Sequence, residues 1–317
     1  MNFTLSIVIP VKNGARYLPE WKRALEMQRA APAFEVIAVD SGSSDSTPDL
    51  LEQLGVKVLK VPPGEFGHAR TRNLAIAAAA GDLVLMTVQD AVPASRNFLS
   101  AITRPFFENT RLAGVRARQV PGPETPLWAA WLVSRCPAAS AKRRKYSLAP
   151  GEDLAQMSRK RVLDMCGLDF VASCIRRDIW QKTALPEIGF GEDKAWTAHI
   201  LEHGWAWLHE PDAVVMHAHS RPAMYSFKRA YIEERANSKL PGREPMPPFL
   251  LNAASLPLGI ASLARDVPWY LERSGGLPGA VRDLGRAGQE ICARSLGAFL
   301  ADIDLLLGRG ERFKGQV

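Results

Sequence analysis

The chain has 317 residues, of which 47% are hydrophobic and 23% are charged, and it carries a formal net charge of +7. This length can bury a full core in one large or two modest domains, and the composition is ordinary for a soluble globular protein. The excess of lysine and arginine favours an anionic partner: a nucleotide, a phosphorylated lipid or an acidic membrane surface.

Cysteine spacing and hydropathy indicate the cellular compartment of the protein. The four cysteines are scattered without a Cys-x-x-Cys pair, which argues against a disulfide framework and against a zinc site. The first residues lack the pattern of a signal peptide, and no uninterrupted apolar stretch approaches the ~20 residues needed to span a bilayer. We therefore expect a reducing, cytoplasmic compartment.

Short apolar runs separated by helical patterns organise the first half of the chain. Strands are predicted at Leu5–Val11, 34–39 and 56–61, and residues 15–29 have a helical pattern. This alternation predicts an α/β fold with a parallel sheet and right-handed crossovers. A fourth run, at residues 83–88, reads as a buried central strand.

Two aspartates follow predicted strands, Asp40 after the second and Asp90 after the fourth. Open α/β sheets bind ligands at the carboxyl ends of their strands. The small residues Ser41 and Gly42 let a ligand approach the backbone, so a binding role is favoured for Asp40. For Asp90, capping a helix that begins near Ser95 is an equally open interpretation.

Two predicted helix starts carry polar clusters. Arg70, Arg72 and Asn73 lie where amide donors and guanidinium groups suit a phosphate, although a solvated basic turn explains them equally well. Glu192 and Asp193 lie in a first helical turn, where favourable interaction with the helix dipole is the simpler explanation.

A histidine pair follows the last predicted strands. Residues 205–208 and 213–216 are predicted as two short strands around a turn at residues 209–212. His217 and His219 come next. Lone histidines are usually structural, so two of them just past a strand are a weak indication of a ligand site.

The chain changes character after residue 223. We predict one domain at residues 1–223 and a helical extension at residues 224–317, with amphipathic helices at 255–307. These helices either pack on the core or lie on a membrane surface, and packing is favoured. The basic clusters at 142–145 and 159–161 are typical of a solvated surface, or else contact an anionic acceptor or a membrane.

Several short motifs occur in a fixed order. They are Leu5–Val11 with Lys12 and Asn13, residues 40–45, Arg72 and Asn73 with residues 80–82, and residues 191–193. In this order, over about residues 4–220, the chain resembles the family 2 glycosyltransferases, which have the GT-A fold. The resemblance implies an inverting transfer of a sugar from a nucleotide diphosphate donor to a hydroxyl group of a glycan or polyprenyl-linked acceptor.

A narrower resemblance rests on a second set of motifs. They are residues 66–68, Arg72 with Asn73, residues 89–93, residues 217–219, and Tyr225 with Ser226. This set is similar to the bacterial rhamnosyltransferases of the family, which use dTDP-L-rhamnose and build O-antigen or other surface polysaccharides. A cytoplasmic enzyme, peripheral on the inner face of the membrane, would fit this role.

The resemblance also implies roles for individual residues. Asp193 would be the general base, and Glu192 would orient the base or the acceptor. The donor would be bound by a larger set, namely Pro10, Val11, Asp40, Ser41, Gly42, Arg70, Arg72, Asn73, Gln89 and Asp90.

The central strand departs from the family pattern, because Asp90 stands alone where most members have Asp-x-Asp. Asp90 would therefore hold a divalent metal with the diphosphate and with His217 or His219. Mg²⁺ tolerates such a site because it takes few carboxylates and keeps several waters, and Mn²⁺ is the other candidate.

Alternatives remain open at this point. A UDP- or GDP-sugar could replace the dTDP-sugar, and a single carboxylate at Asp90 keeps a catalytically silent nucleotide-binding module in consideration. A nucleotidyltransferase would be expected to have a glycine-rich opening loop, and residues 10–16 hold one glycine. No nucleic-acid partner is expected, because the basic clusters lack interleaved aromatic residues that stack on bases.

Overall fold

The computed structural model describes residues 3–62, 64–243, 247–313 and 315. Within these residues the strands are β1 (Leu5–Val11), β2 (Phe34–Asp40), β3 (Lys57–Lys60), β4 (Leu83–Thr87), β5 (Val92–Pro93), β6 (Leu112–Val120), β7 (Arg144–Tyr146), β8 (Ala172–Arg176) and β9 (Ala206–Met216).

The α-helices of the described residues are α1 (Leu18–Glu26), α2 (Thr47–Gln53), α3 (His68–Ala77), α4 (Phe98–Thr103), α5 (Pro105–Glu108), α6 (Leu127–Ser134), α7 (Arg159–Met165), α8 (Arg177–Lys182), α9 (Glu192–Glu202), α10 (Ala223–Asn237), α11 (Pro248–Arg265), α12 (Val267–Arg273) and α13 (Leu277–Leu306).

The described strands form one mixed sheet with neighbours in the order β3-β2-β1-β4-β8-β6-β9-β5, and β7 pairs with β9. β1 to β4 are parallel to one another, and β6 is parallel to β9. β8 runs antiparallel between β4 and β6, and β5 and β7 run antiparallel to β9. Six strands thus share one direction, which confirms the predicted α/β fold with a mostly parallel sheet.

Helices cover both faces of the sheet, so its central strands are buried throughout. Every residue of β4 is buried, which is why strands of this kind read as continuous apolar runs rather than alternating ones. One apolar cluster packs around Phe98 and Phe106, and another packs around Trp196 and Trp207. This packing fixes the carboxyl ends of β1, β2 and β4 at one edge of the sheet.

The predicted helical extension is present and packs on the first half of the chain. α10 and α11 pack along α13, and α6 joins them through a cluster that includes Trp128, Trp131, Tyr270 and Ile291. Trp131 Nε1 donates to Asp266 Oδ2 at 2.8 Å. Among the described residues, no helix is long and apolar enough to cross a bilayer. The boundary at residue 223 stays a prediction.

Two predicted local structures are wrong. Residues 206–216 form a single strand, β9, rather than two strands around a turn, because the register against β6 shifts between Ala117 and Arg118. Such a bulge accommodates Pro211 without ending the strand. The helix expected near Ser95 begins at Phe98 after Asn97, so Asp90 does not cap it.

Three of the seven basic residues in the two clusters form ion pairs. Arg143 contacts Glu108 Oε2 at 2.7 Å and the buried Glu210 at 2.9 Å, and Arg144 contacts Asp164 at 3.0 Å. In the second cluster, Arg159 pairs with a glutamate of α10. These arginines therefore hold elements of the fold together, which reduces the cationic charge available to a membrane.

Candidate active site

The candidate nucleotide-binding residues lie where β1 and β2 end. Their register pairs Pro10 with Val39 and Val11 with Asp40. Three residues that the sequence predicts to bind the donor, Pro10, Val11 and Asp40, are therefore neighbours. Asp40 is 5% exposed, and its Oδ1 accepts from the Ser43 amide at 3.1 Å. A carboxylate held in this way is fixed at the strand end, ready to accept a further hydrogen bond.

The turn after Asp40 places the backbone of Ser41 and Gly42 at the same strand ends. Gly42 has φ +80°, a conformation that favours glycine because a Cβ would clash. The Ser41 amide donates to Val11 O at 3.0 Å. The buried Ser41 hydroxyl lacks a hydrogen-bond partner among the described residues. An unpartnered buried hydroxyl is costly, and a ligand at this edge would satisfy it.

Gln89 closes the loop after β1. Its Oε1 accepts from the Lys12 amide at 2.9 Å, and its Nε2 donates to Lys12 O at 3.1 Å. The same oxygen would lie 2.7 Å from a Cβ at Gly14, so a larger residue at this position would displace the Gln89 amide. Both ends of the amide thus support the loop, and a contact of Gln89 with the donor stays a prediction.

Strand pairing brings Asp90 to the two histidines. Val92 of β5 pairs with Met216 of β9, so Asp90 and the residues after Met216 meet. Asp90 Oδ2 lies 3.4 Å from His219 Nδ1, and Asp90 Oδ1 lies 3.8 Å from His217 Nε2. One ligand atom from each side chain lies within 4.8 Å of the other two, a donor set that fits a divalent transition metal such as Mn²⁺.

His217 is held in a defined tautomer. Gln119 Nε2 donates to Asp169 Oδ1 at 2.9 Å, so Gln119 Oε1 faces His217 Nδ1 as an acceptor at 3.1 Å. His217 Nδ1 therefore carries the proton, and Nε2 is left toward Asp90. Burial lowers the pKa of His217 to about 4, with a contribution from His219. A neutral imidazole with a free Nε2 is the form that binds metals.

The candidate base lies at the start of α9. Gly191 before it has φ +84° and packs on α10, where Ala236 Cβ lies 3.2 Å from an added Cβ. Asp193 is partly accessible, and its Oδ1 accepts from the Lys194 amide at 2.8 Å. Burial raises the pKa of Asp193, and the charge of Glu192 raises it further. A partly accessible carboxylate of raised pKa is suited to accept a proton.

The two arginines predicted to bind the donor, Arg70 and Arg72, lie in different environments. Arg72 is buried and forms an ion pair with Glu192, whereas Arg70 is exposed and contacts Glu65 at 2.9 Å. Residues two apart on a helix do not face the same side. Asn73 fixes a different segment, because its Oδ1 accepts from the Leu185 amide at 3.1 Å. Contacts of all three with the donor stay predictions.

Sequence reasoning missed Gln119, Asp169 and Arg229. The first two orient His217, and Arg229 is close enough to His217 and His219 to oppose their protonation. A single glutamine at the end of β6 and a single arginine in α10 give no local pattern. Only the assembled sheet brings them to the histidine pair.

Comparison with solved structures defines the class. The chain is similar to a mannosyltransferase of Pyrobaculum calidifontis, PcManGT, solved with GDP-Man and Mn²⁺, at 21% identity and TM-score 0.58 over 98% of this chain and 89% of that one. It is also similar to Staphylococcus aureus TarS (residues 1–349), at 17% identity and TM-score 0.52 over 98% and 93% of the two chains. These similarities place the sheet and its helices in the GT-A glycosyltransferase fold.

The family follows from the sequence match. The model of glycosyl transferase family 2 matches residues 6–166, and the chain belongs to that family. It is 25% identical to the O-antigen chain rhamnosyltransferase RfbN of Salmonella typhimurium over 236 residues, which is 72% of this chain and 70% of that protein. WbaN of Salmonella anatum, also an O-antigen chain rhamnosyltransferase, matches equally, at 25% identity over 237 residues.

Proposed function

We propose that this glycosyltransferase moves rhamnose from dTDP-L-rhamnose to a hydroxyl group of a glycan or polyprenyl-linked acceptor in bacterial surface polysaccharide synthesis. The observation that carries the proposal is the Asp90–His217–His219 cluster at the sheet edge that also presents Asp40. The names of the curated relatives support rhamnose as the sugar. A UDP- or GDP-sugar is the alternative donor.

The proposed reaction inverts the sugar's anomeric carbon. The acceptor oxygen forms a bond to that carbon, the bond from the carbon to the diphosphate oxygen breaks, and the electron pair leaves with the diphosphate. The acceptor proton passes to an Asp193 carboxylate oxygen. Glu192, paired with the buried Arg72, holds the start of α9 so that Asp193 stays in place. A positioned base of this kind contributes about 10²–10⁴-fold in rate.

Asp90, His217 and His219 are proposed to hold a divalent metal. When bound, the ion would neutralise charge that develops on the leaving diphosphate. Two imidazoles beside one carboxylate suit Mn²⁺ better than Mg²⁺, because Mg²⁺ prefers oxygen ligands in octahedral geometry. Mg²⁺ remains the other candidate, and competition between the two ions separates them.

We place the protein at the inner face of the membrane. Residues 248–264 contain no charged side chain, and the outward face of α11 is apolar, with Leu258 70% exposed and Leu250 and Ile260 each 42% exposed. Arg265 ends the helix. An apolar face bordered by arginine suits the interface of an anionic bilayer. Packing against a protein partner is the competing explanation.

A thermal-shift panel tests the donor and the metal together. The wild-type chain and Asp90→Ala would be heated with dTDP, dTDP-L-rhamnose, UDP or GDP, each with Mn²⁺, with Mg²⁺ or without metal. A ligand that binds only the native state raises the Tm by mass action. We expect a metal-dependent rise with dTDP compounds that Asp90→Ala abolishes.

The other outcomes of the panel are equally informative. A rise with UDP or GDP compounds alone would keep the glycosyltransferase and replace the donor. Absence of a rise with any nucleotide would favour the catalytically silent module, and hydrolysis of the nucleotide sugar in water would then distinguish a slow enzyme from an inactive one.

A further inference from the structure

A second cavity adjoins the candidate metal cluster. The described residues enclose about 600 Å³ between the segment after β9 and helices α6, α10, α11 and α13. His217 and His219 line this cavity, and they also line a neighbouring cavity that contains Asp90. The helical extension therefore encloses a space that begins at the histidine pair.

Three arginines line the wall of this cavity. Among the described residues, Arg221, Arg229 and Arg294 make no ion pair within 4.0 Å, although Arg229 lies over the Phe190 ring at 4.3 Å. Two of the three acidic residues in the same wall form ion pairs with basic residues outside it, although the charges of Arg229 and Arg294 also lower the pKa of Glu233. Glu233 contacts Lys194 at 2.9 Å, and Glu234 pairs with Arg159. Because Lys194 and Arg159 offset the charges of these two glutamates, the wall carries three arginines against Glu290, and the excess of cations suits an anionic group.

A buried carboxylate in the same wall offers an unused acceptor. Glu290 is 5% exposed, and its Oε1 accepts from Ser226 Oγ at 2.5 Å. Its Oε2 has no hydrogen-bond partner among the described residues. A buried carboxylate oxygen left unpaired is costly, and a hydroxyl group of a ligand would satisfy it. The cavity therefore combines cations with an acceptor for a hydroxyl.

The helix α10 connects the cavity wall to the residue next to the candidate base. Lys194, which follows Asp193, donates to Glu233 at 2.9 Å and to Asn237 Oδ1 at 2.8 Å, and both of these α10 residues line the cavity. One helix thus forms the cavity wall and supports the base. A ligand in the cavity would therefore contact the helix that supports Lys194 beside Asp193.

We propose that this cavity is an acceptor subsite that selects a saccharide carrying a negatively charged group. Arg221, Arg229 and Arg294 bind the charged group, and Glu290 accepts from a hydroxyl of the sugar. The inference rests on the proposed function, because it concerns the second substrate of the same site. The charge comes either from the phosphate of a lipid-linked saccharide or from the carboxylate of an acidic sugar.

Ligand-observed NMR on the full chain tests the subsite with four probes: glucose 1-phosphate, glucuronic acid, methyl glucoside and dTDP. We expect a charged sugar to bind at least about tenfold more tightly than methyl glucoside, since hydrogen bonds to charged groups are the stronger ones. The more tightly bound of the two charged sugars identifies the source of the charge. Arg294→Gln and Glu290→Gln should each weaken that sugar and leave dTDP binding unchanged.

Matched controls locate the ligand. Arg286 lies on α13 together with Glu290 and Arg294, but it is exposed and lines a different cavity. Arg286→Gln should therefore leave the binding of the charged sugars and of dTDP unchanged. Cys136 lines the proposed subsite, and the bound sugar should slow its alkylation in a Cys292→Ser background. Binding of a charged sugar without protection of Cys136 would contradict the assignment.

The binding results distinguish failure of the acceptor subsite from failure of the proposed donor. If Arg294→Gln weakens dTDP as much as the charged sugars, the arginines hold the donor and the subsite is wrong. Binding of dTDP without preference for charged over neutral sugars also overturns the subsite and leaves the proposed donor standing. Preference for a charged sugar without dTDP binding supports the subsite and overturns the donor.

Discussion

Val92 and Met216 pair in antiparallel register, and this pair sets the candidate metal cluster. Asp90 precedes Val92 by two residues, and His217 follows Met216 directly. β5 has only two residues, so its position depends on β9 rather than on local propensity. The distances of 3.8 Å and 3.4 Å from Asp90 to the two histidines are a product of long-range sheet pairing.

The orienting role of Gln119 predicts a change in metal affinity. Gln119→Leu removes the acceptor for His217 Nδ1–H, and the loss of such a partner weakens metal binding about 10- to 100-fold. Titration with Mn²⁺ in the presence of dTDP, followed by electron paramagnetic resonance, measures this directly. His203→Ala is the control, since His203 is exposed and stacks on His199 instead. Equal affinities for wild type and Gln119→Leu would remove Gln119 from the site.

The raised pKa of Asp193 predicts an acid limb in the rate profile. The base must be ionised, so kcat should fall as the pH falls through a value above the ordinary 3.8. Asp193→Asn should lower kcat by about 10²–10⁴-fold and leave dTDP binding nearly intact. A pH–rate profile with single-turnover kinetics would show both effects. Near wild-type turnover in Asp193→Asn would exclude this base.

The raised pKa of Asp193 also predicts that Asp193→Asn is more stable than the wild type at neutral pH. A carboxyl whose pKa is raised by folding binds its proton more tightly in the native state, so its contribution to stability falls as the pH rises through the window between the unfolded and folded values. Above that window, Asp193→Asn removes a negative charge that its surroundings in the native state disfavour. Its Tm at neutral pH should therefore exceed that of the wild type, and the difference should shrink on acidification.

The buried pair of Arg72 and Glu192 joins α3 to α9, and both side chains are less than a tenth exposed. Removal of one partner leaves a buried charge, so Arg72→Met should destabilise the fold by about 3–5 kcal/mol. Urea denaturation measures the change. The double variant Arg72→Met with Glu192→Met should recover much of this loss, whereas additive losses would show that the pair does not act as a unit.

Close backbone contact between α10 and α13 predicts a large effect of one methyl group. A Cβ at Gly297 would lie 2.1 Å from Phe227 O, so Gly297→Ala should destabilise the extension by about 1–3 kcal/mol. Gly285, on the same helix, would meet nothing within 4 Å. Gly285→Ala should stabilise by roughly 0.5–1 kcal/mol through helix propensity. Thermal unfolding of both variants compares them, and equal effects would argue against the close packing.

The apolar face of α11 predicts binding to vesicles. Leu258→Asp should weaken cosedimentation with phosphatidylglycerol-containing vesicles at least about tenfold, because a leucine lost from the interface removes ~2 kcal/mol of burial. Leu74→Asp is the control, since Leu74 is an exposed helical leucine of the first half of the chain. Similar binding by wild type and Leu258→Asp would favour a protein partner for this face.

Sequence patterns predicted the elements that depend on local apolar runs. β1 has the predicted bounds, because it is a short and mostly apolar run in which every residue except Pro10 is buried. The strand break expected at residues 209–212 did not occur, since a bulge against β6 absorbs Pro211. The pairing of Arg72 with Glu192, 120 residues apart, has no local signature, because it depends on how α3 and α9 pack.

The contacts of α10 limit how the C-terminal helices of family members can be exchanged. It packs on Gly191 and contacts Lys194 through Glu233 and Asn237, although the family model ends at residue 166. A chimera that exchanges the C-terminal helices to alter acceptor choice would therefore also replace the support of its own base. Grafts that keep α10 native and exchange only α11 to α13 are the ones expected to separate specificity from turnover.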